Sequence, residues 1–182
     1  MTGQRMTGSR PLRGAGRAEL RDGVAESGEA AHAAALRLLT TRARTRAELE
    51  RRLQQRGFKP EAIAETLDRL AAVGLIDDEA LARDLASSRA ARGVDASAIA
   101  RELRDRGIEP SMAAGTAISA VPAEERVERC RELARARLTK LQGVSPQVRF
   151  RRLAAFLTRR GYSAEIVETV VSELVDLDSS WS

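Results

Sequence analysis

The chain has 182 residues, with 43% hydrophobic, 31% charged and a formal net charge of +5. Aromatics make up only 3%, so a core must be built from Leu, Ile, Val and Ala, which suits helix-on-helix packing. Cys130 and His32 are the only residues of their kinds, which excludes an internal disulfide, a cysteine zinc site and most metal or nucleophile constellations, and no apolar run is long enough to span a membrane.

Residues 1–31 are rich in Gly, Ser, Thr and Arg and nearly free of large apolar side chains. They cannot bury enough surface to offset ordering entropy, so a disordered arm is expected. Arg5, Arg10, Arg13, Arg17 and Arg21 nearly balance Glu19, Asp22, Glu26 and Glu29, as in a solvated tail rather than a basic arm. No signal-type apolar core is present, the pattern of a cytoplasmic chain.

A first unit is expected over 32–76. Ala35, Leu36 and Leu39 give one helical face. Thr45 followed by Glu48 forms a capping box for the next helix, which carries Leu49 and Leu53 on one side. Gly57 ends that helix, Phe58 plugs the corner, and Pro60 opens a third helix that stops near Gly74. A second unit is expected over 77–121. Asp77 or Asp78 caps its first helix, which carries Leu81 and Leu85; the Asp-Asp-Glu spacing is that of a helix start rather than a metal site. Gly93 and Asp95 form a stop and a cap, Ile99 and Leu103 mark the middle helix, and Pro110 opens an Ala-rich third helix with Gly115 inside it.

A third unit is expected over 122–177, with a polar tail at 178–182. Its first helix carries Val127, Leu133, Ala134 and Leu138, and Cys130 falls within it as a small apolar residue. Gly143 ends that helix. After Ser145-Pro146, the side chains of Phe150, Leu153, Phe156 and Leu157 face inward. Gly161 stops this helix, and Ser163 caps the last one. No stretch alternates with period two long enough to be a strand.

The three units repeat one another. Leu49, Leu53, Gly57, Phe58 and Pro60 match Ile99, Leu103, Gly107, Ile108 and Pro110. They also match Leu153, Leu157, Gly161 and Tyr162, with Ala164 in place of the proline. Downstream, Ile63, Leu67 and Leu70 match Ala113, Ala117 and Ala120, and then Val167, Val171 and Leu174. Such spacing marks a repeat architecture. The fold expected is all-α, an elongated tandem array of three three-helix, helix–turn–helix-like repeats.

Of the 31 basic residues, only Lys59 and Lys140 are lysines. Arginine excess follows from codon supply or from contact with carboxylates and phosphates, which the guanidinium fork grips bidentately. The excess charge sits in the first and third units. Helical phase turns Arg51 away from Leu49 and Leu53, and turns Arg151, Arg152 and Arg159 away from Leu153 and Leu157. Arg56 and Arg160 lie nearer the seam, where they can cap helix ends. The partner-binding candidates are Arg42, Arg44, Arg51, Arg52, Arg149, Arg151, Arg152 and Arg159. No phosphate loop, nucleophile motif or ligand cluster is present, so the reading is of a non-enzyme without cofactor or metal.

The segment Leu70-Ala-Ala-Val-Gly74-Leu-Ile-Asp-Asp78-Glu-Ala-Leu-Ala82 resembles the Gly-x-Ile-Asp-Asp-x-x-Phe-Ala signature of the RecX family, with Leu81 where Phe is usual. Arg42-Ala-Arg44-Thr-Arg-Ala-Glu48-Leu49, Glu102-Leu103-Arg-Asp-Arg-Gly107-Ile108 and Phe156-Leu157-Thr-Arg159-Arg160-Gly161-Tyr162-Ser163 support the likeness, which covers about Ala34 to Leu174. The resemblance implies a modular array of three-helix repeats that binds RecA and lies in the groove of the RecA–DNA filament. It implies restraint of filament growth, ATP hydrolysis, strand exchange and coprotease activity, with no catalysis or cofactor of its own. A monomer is the expected state, and direct contact with DNA stays open. The alternative from a different class is a helix–turn–helix nucleic-acid-binding protein acting without RecA.

Overall fold

The computed structural model describes residues 28–179. The expected N-terminal arm therefore lies outside the described residues except for its last four positions, which are helical. Nine α-helices and no strand occur among the described residues. They are α1 (Gly28–Leu39), α2 (Arg46–Gln54), α3 (Pro60–Ala72), α4 (Asp78–Ala91), α5 (Ala96–Asp105), α6 (Pro110–Ala120), α7 (Arg126–Leu138), α8 (Pro146–Arg159) and α9 (Ala164–Ser179). Short 3-10 turns, Ala123–Glu125 and Thr139–Leu141, flank α7.

Local chemistry sets the ends of these helices. Thr45 and Glu48 form the expected reciprocal cap: the Glu48 N–H donates to the Thr45 hydroxyl (3.1 Å) and the Thr45 N–H to the Glu48 carboxylate (3.3 Å). Asp77 caps α4 by accepting from the Ala80 N–H (2.8 Å). Ser163 accepts from the Ile166 N–H (3.4 Å). Pro60, Pro110 and Pro146 occupy first helical turns, where a missing N–H costs nothing. After α2, α5 and α8 the same turn recurs. The N–H groups of Phe58, Ile108 and Tyr162 reach back to the carbonyls of Leu53, Leu103 and Leu157 at 3.3, 3.0 and 3.4 Å. Gly57, Gly107 and Gly161 stand between, with φ of +83°, +86° and +92°.

Contacts divide the chain into two compact units. One comprises residues 28–43 with Leu49–Ile76. There α1 packs on α3, and Leu49 and Leu53 close the core over Ala34, Ala35, Ile63, Leu67 and Leu70. Leu36, expected in that face, is exposed; α1 instead turns Ala31, Ala34 and Ala35 inward, because methyl-sized residues let it lie close to α3.

The other unit comprises Arg44–Glu48 with residues 77–179. It holds two cores. The first is formed by α4, α5 and α6 around Ile99, Leu103 and Ile108. In α4, the residues fully inside are Ala82, Ala86 and Ala90, while the expected Leu85 is partly buried against them. Ala113 and Ala117 of α6 complete this small-residue interface, and Gly115 faces open space. The second core joins α7, α8 and α9 through Cys130, Ala134, Leu153, Leu157, Tyr162 and the valines of α9. Val127 and Phe150, both expected inside, are exposed at 39% and 38%. The α7 face that packs inward is set by Cys130 and Ala134, and the α8 face by Leu153 and Leu157, which leaves those two residues on the outer flanks.

Candidate partner-binding surfaces

Within the larger unit most of the arginine excess has an internal use. Arg126 grips Asp95, whose side chain is 0% exposed, with Nε at 2.7 Å and a second nitrogen at 2.5 Å. That bond lifts the Arg126 pKa further. Arg129 donates to the Ala90 carbonyl (2.7 Å). Arg131 bridges Glu128 and Glu173. Arg137 and Arg160 stand 5.3 and 4.1 Å from the centre of the Phe156 ring. On α4 and α5, Arg89 holds Glu102 by two bonds of 2.7 and 2.6 Å; the same bonds hold the Glu102 carboxyl below its ordinary range. Part-buried bidentate pairs of this kind fix geometry as well as charge.

The candidates named from sequence therefore separate. Arg149 is half-buried and donates to the Val144 carbonyl (3.1 Å), so it serves the loop before α8. Arg151, Arg152 and Arg159 are exposed on α8 and make no ion pair among the described residues. Arg152 and Arg159 are seven residues apart, which places them on one stripe about 10 Å long. On α2, Arg51 and Arg52 are exposed; Arg42 is exposed in the loop before it, and Arg44 is half-buried. Arg160, expected as a helix cap, lies instead against Phe156.

Sequence reasoning missed a set of contacts that α2 and α5 make through their first turns. Within the larger unit, the Thr45 hydroxyl donates to the Arg106 carbonyl (2.6 Å), and Arg106 grips Glu48 at 3.0 and 3.2 Å. Asp78 accepts from the Arg46 N–H (2.9 Å). The Asp95 N–H donates to the Arg160 carbonyl (2.8 Å), and the Ser97 hydroxyl to the Gly161 carbonyl (2.6 Å). One signal for these contacts was present: an arginine precedes each turn glycine, at Arg56, Arg106 and Arg160.

A groove of about 780 Å³ runs between α4 and α6, but its walls are mainly alanines, Met112 and small hydroxyls. Glu79 and Arg83 on its margin pair with each other at 2.5 Å. No group of three or more His, Cys, Asp and Glu placed to hold a metal occurs among the described residues.

Comparison with known proteins places these features in a family. A model described as RecX, first three-helix domain, matches residues 31–70, and one described as RecX, third three-helix domain, matches residues 123–171. The Regulatory protein RecX of Thermobifida fusca (strain YX) is 40% identical over 149 residues, covering 81% of this chain and 80% of that protein. That of Mycobacterium ulcerans (strain Agy99) is 42% identical over 149 residues, covering 80% and 86%. The chain belongs to the RecX family.

The crystal structure of RecX from Lactobacillus salivarius has a TM-score of 0.66 at 24% identity and covers 82% of this chain and 97% of its own. It supports the all-α, three-helix-repeat fold. RecX relatives are named as regulatory proteins, and this chain is a regulatory protein rather than an enzyme. Among the described residues, no helix is long and apolar enough to cross a membrane.

Proposed function

We propose that this RecX-family chain acts in the cytoplasm as a monomeric regulator that binds RecA and lies in the groove of the RecA–DNA filament, where it restrains recombinase, ATPase and coprotease activity. Family membership supports RecA as the partner. The observation that carries the surface is the α8 row of Arg151, Arg152 and Arg159. It remains exposed while the arginines of α7 are engaged in internal contacts. Arg51 and Arg52 form a second exposed basic pair on α2. Guanidinium groups held on a helix face suit acidic protein surface or phosphate equally.

Titrating the protein into RecA hydrolysing ATP on single-stranded DNA tests the reading. The hydrolysis rate should fall as the ratio rises, and no effect at any ratio would overturn it. The triple reversal R151E, R152E and R159E should weaken filament binding by about tenfold or more with an unchanged circular dichroism spectrum. Unchanged binding would remove α8 from the interface. Leu153→Glu, which places a charge in a fully buried position, should instead abolish the helical signal of that unit. Binding to DNA without RecA that weakens steeply with salt would favour a RecA-independent nucleic-acid protein.

A further inference from the structure

We propose that the turn after α2, residues 55–58, is a docking socket for the N-terminus of a partner protein's helix. That helix should carry a Ser, Thr or Asp cap, a small residue in its first turn and an acid directed at Arg56. The proposal rests on the regulatory reading above for the identity of the partner.

Three turns in the chain share one construction, and two of them are filled. At Gly107, the Thr45 hydroxyl reaches the Arg106 carbonyl, a methyl built on the glycine would lie 2.3 Å from Ala47 Cβ, and Glu48 is held by Arg106. At Gly161, the Asp95 N–H reaches the Arg160 carbonyl, the Ser97 hydroxyl reaches the Gly161 carbonyl, and a methyl would lie 2.5 Å from Ala98 Cβ. In both cases the first turn of one helix seats on the last turn of another. Orphan carbonyls at the receiving end gain donors, and the positive end of one helix dipole meets the negative end of the other. The glycine serves twice: it takes the left-handed conformation and leaves room for the incoming methyl group.

The Gly57 turn has the same backbone, with φ +83° and the Phe58 N–H on the Leu53 carbonyl at 3.3 Å. Among the described residues, a methyl built there would meet nothing within 4 Å. Arg56, at the position of Arg106, is exposed, and among the described residues neither its guanidinium nor its carbonyl has a partner. The socket is built to the same plan and stands open among the described residues.

Charge selects the occupant. A second copy of this chain would offer the start of α8, where the Ser145 hydroxyl makes no cap bond. However, Gln147 and Val148 stand where Ala47 and Glu48 stand in the filled case, and the first turn of α8 carries no acidic residue to meet Arg56. An acidic first turn from a different protein supplies what Glu48 supplies to Arg106.

The test uses the full chain and RecA assembled on single-stranded DNA, with affinity read by anisotropy. Arg56→Glu reverses the charge of the socket. Gly57→Asn fills it with a residue that tolerates the left-handed conformation. Gly74→Asn is the matched control, because Gly74 also has positive φ (+71°) and open space. Arg56→Glu and Gly57→Asn should each weaken binding by about tenfold, and Gly74→Asn should bind as wild type, with equal melting temperatures for the two asparagine variants. Wild-type affinity in both socket variants would overturn the socket and leave the regulatory reading standing. If the unmodified chain does not bind RecA, both fall. Self-association of the wild type in sedimentation, lost in Gly57→Asn, would assign the socket to a second copy and overturn the partner named here.

Discussion

Tyr162 shows how one side chain can serve packing at an electrostatic cost. Its ring fills the corner after Gly161, as Phe58 and Ile108 fill the corners after Gly57 and Gly107. Its hydroxyl is buried without a hydrogen-bond partner among the described residues. Burial pushes the phenol up to about 12. An unmatched buried hydroxyl costs on the order of 1–3 kcal/mol in lost hydration. Tyr162→Phe keeps the ring and removes that cost, so stability should rise by about 1 kcal/mol, read as a higher urea midpoint at unchanged slope. A lower midpoint would mean that the hydroxyl has found a partner. Cys130, in the same core, has its thiol pushed up to about 11 by burial, which suits the apolar filler expected from sequence and argues against a reactive nucleophile.

At the scale of elements, the turns were the most legible part of the chain. Gly and Pro act locally, so the stops and starts of α2, α3, α5, α6 and α8 could be placed from spacing alone. The seams were less legible. Reading large apolar residues as the packed face picked out Leu81 and Leu85, whereas α4 buries Ala82, Ala86 and Ala90. Leu36, Val127 and Phe150 failed for the same reason: the packed face follows how closely two helices can approach, which hydrophobicity alone does not report. Two glycines separate these effects. Gly115 lies inside α6 facing open space, so Gly115→Ala should stabilise by about 0.5–1 kcal/mol through helix propensity. Gly107→Ala should destabilise by 2 kcal/mol or more, roughly, since a left-handed alanine is strained and its methyl would strike Ala47. Thermal melts of the two variants should move in opposite directions.

For the larger unit as a whole, the candidate surface was only half legible. Helical phase identified Arg151, Arg152 and Arg159 because exposure on a single helix is a local property. It could not show that Arg126 and Arg129 are engaged, since their partners, Asp95 and the Ala90 carbonyl, lie 31 and 39 residues away. Those contacts tie the core of α4–α6 to that of α7–α9. Asp95 caps α5 through the Ser97 N–H (3.2 Å), its backbone N–H holds the Arg160 carbonyl, and its carboxylate holds Arg126. Asp95→Ala removes the carboxylate from both roles and leaves a part-buried guanidinium without its partner. The expected loss is about 3 kcal/mol. If Asp95 couples the two cores, amide exchange in α8 and α9 should also accelerate, although the substitution lies in neither helix. Faster exchange confined to α5 would reduce Asp95 to a local cap. Arg126→Met separates the parts of that role: it keeps the α5 cap and much of the side-chain volume, but leaves the Asp95 carboxylate buried without its cation. A loss close to that of Asp95→Ala would place most of the coupling in the ion pair, and a loss near 1 kcal/mol would place it in the backbone contacts, on the scale of roughly one hydrogen bond.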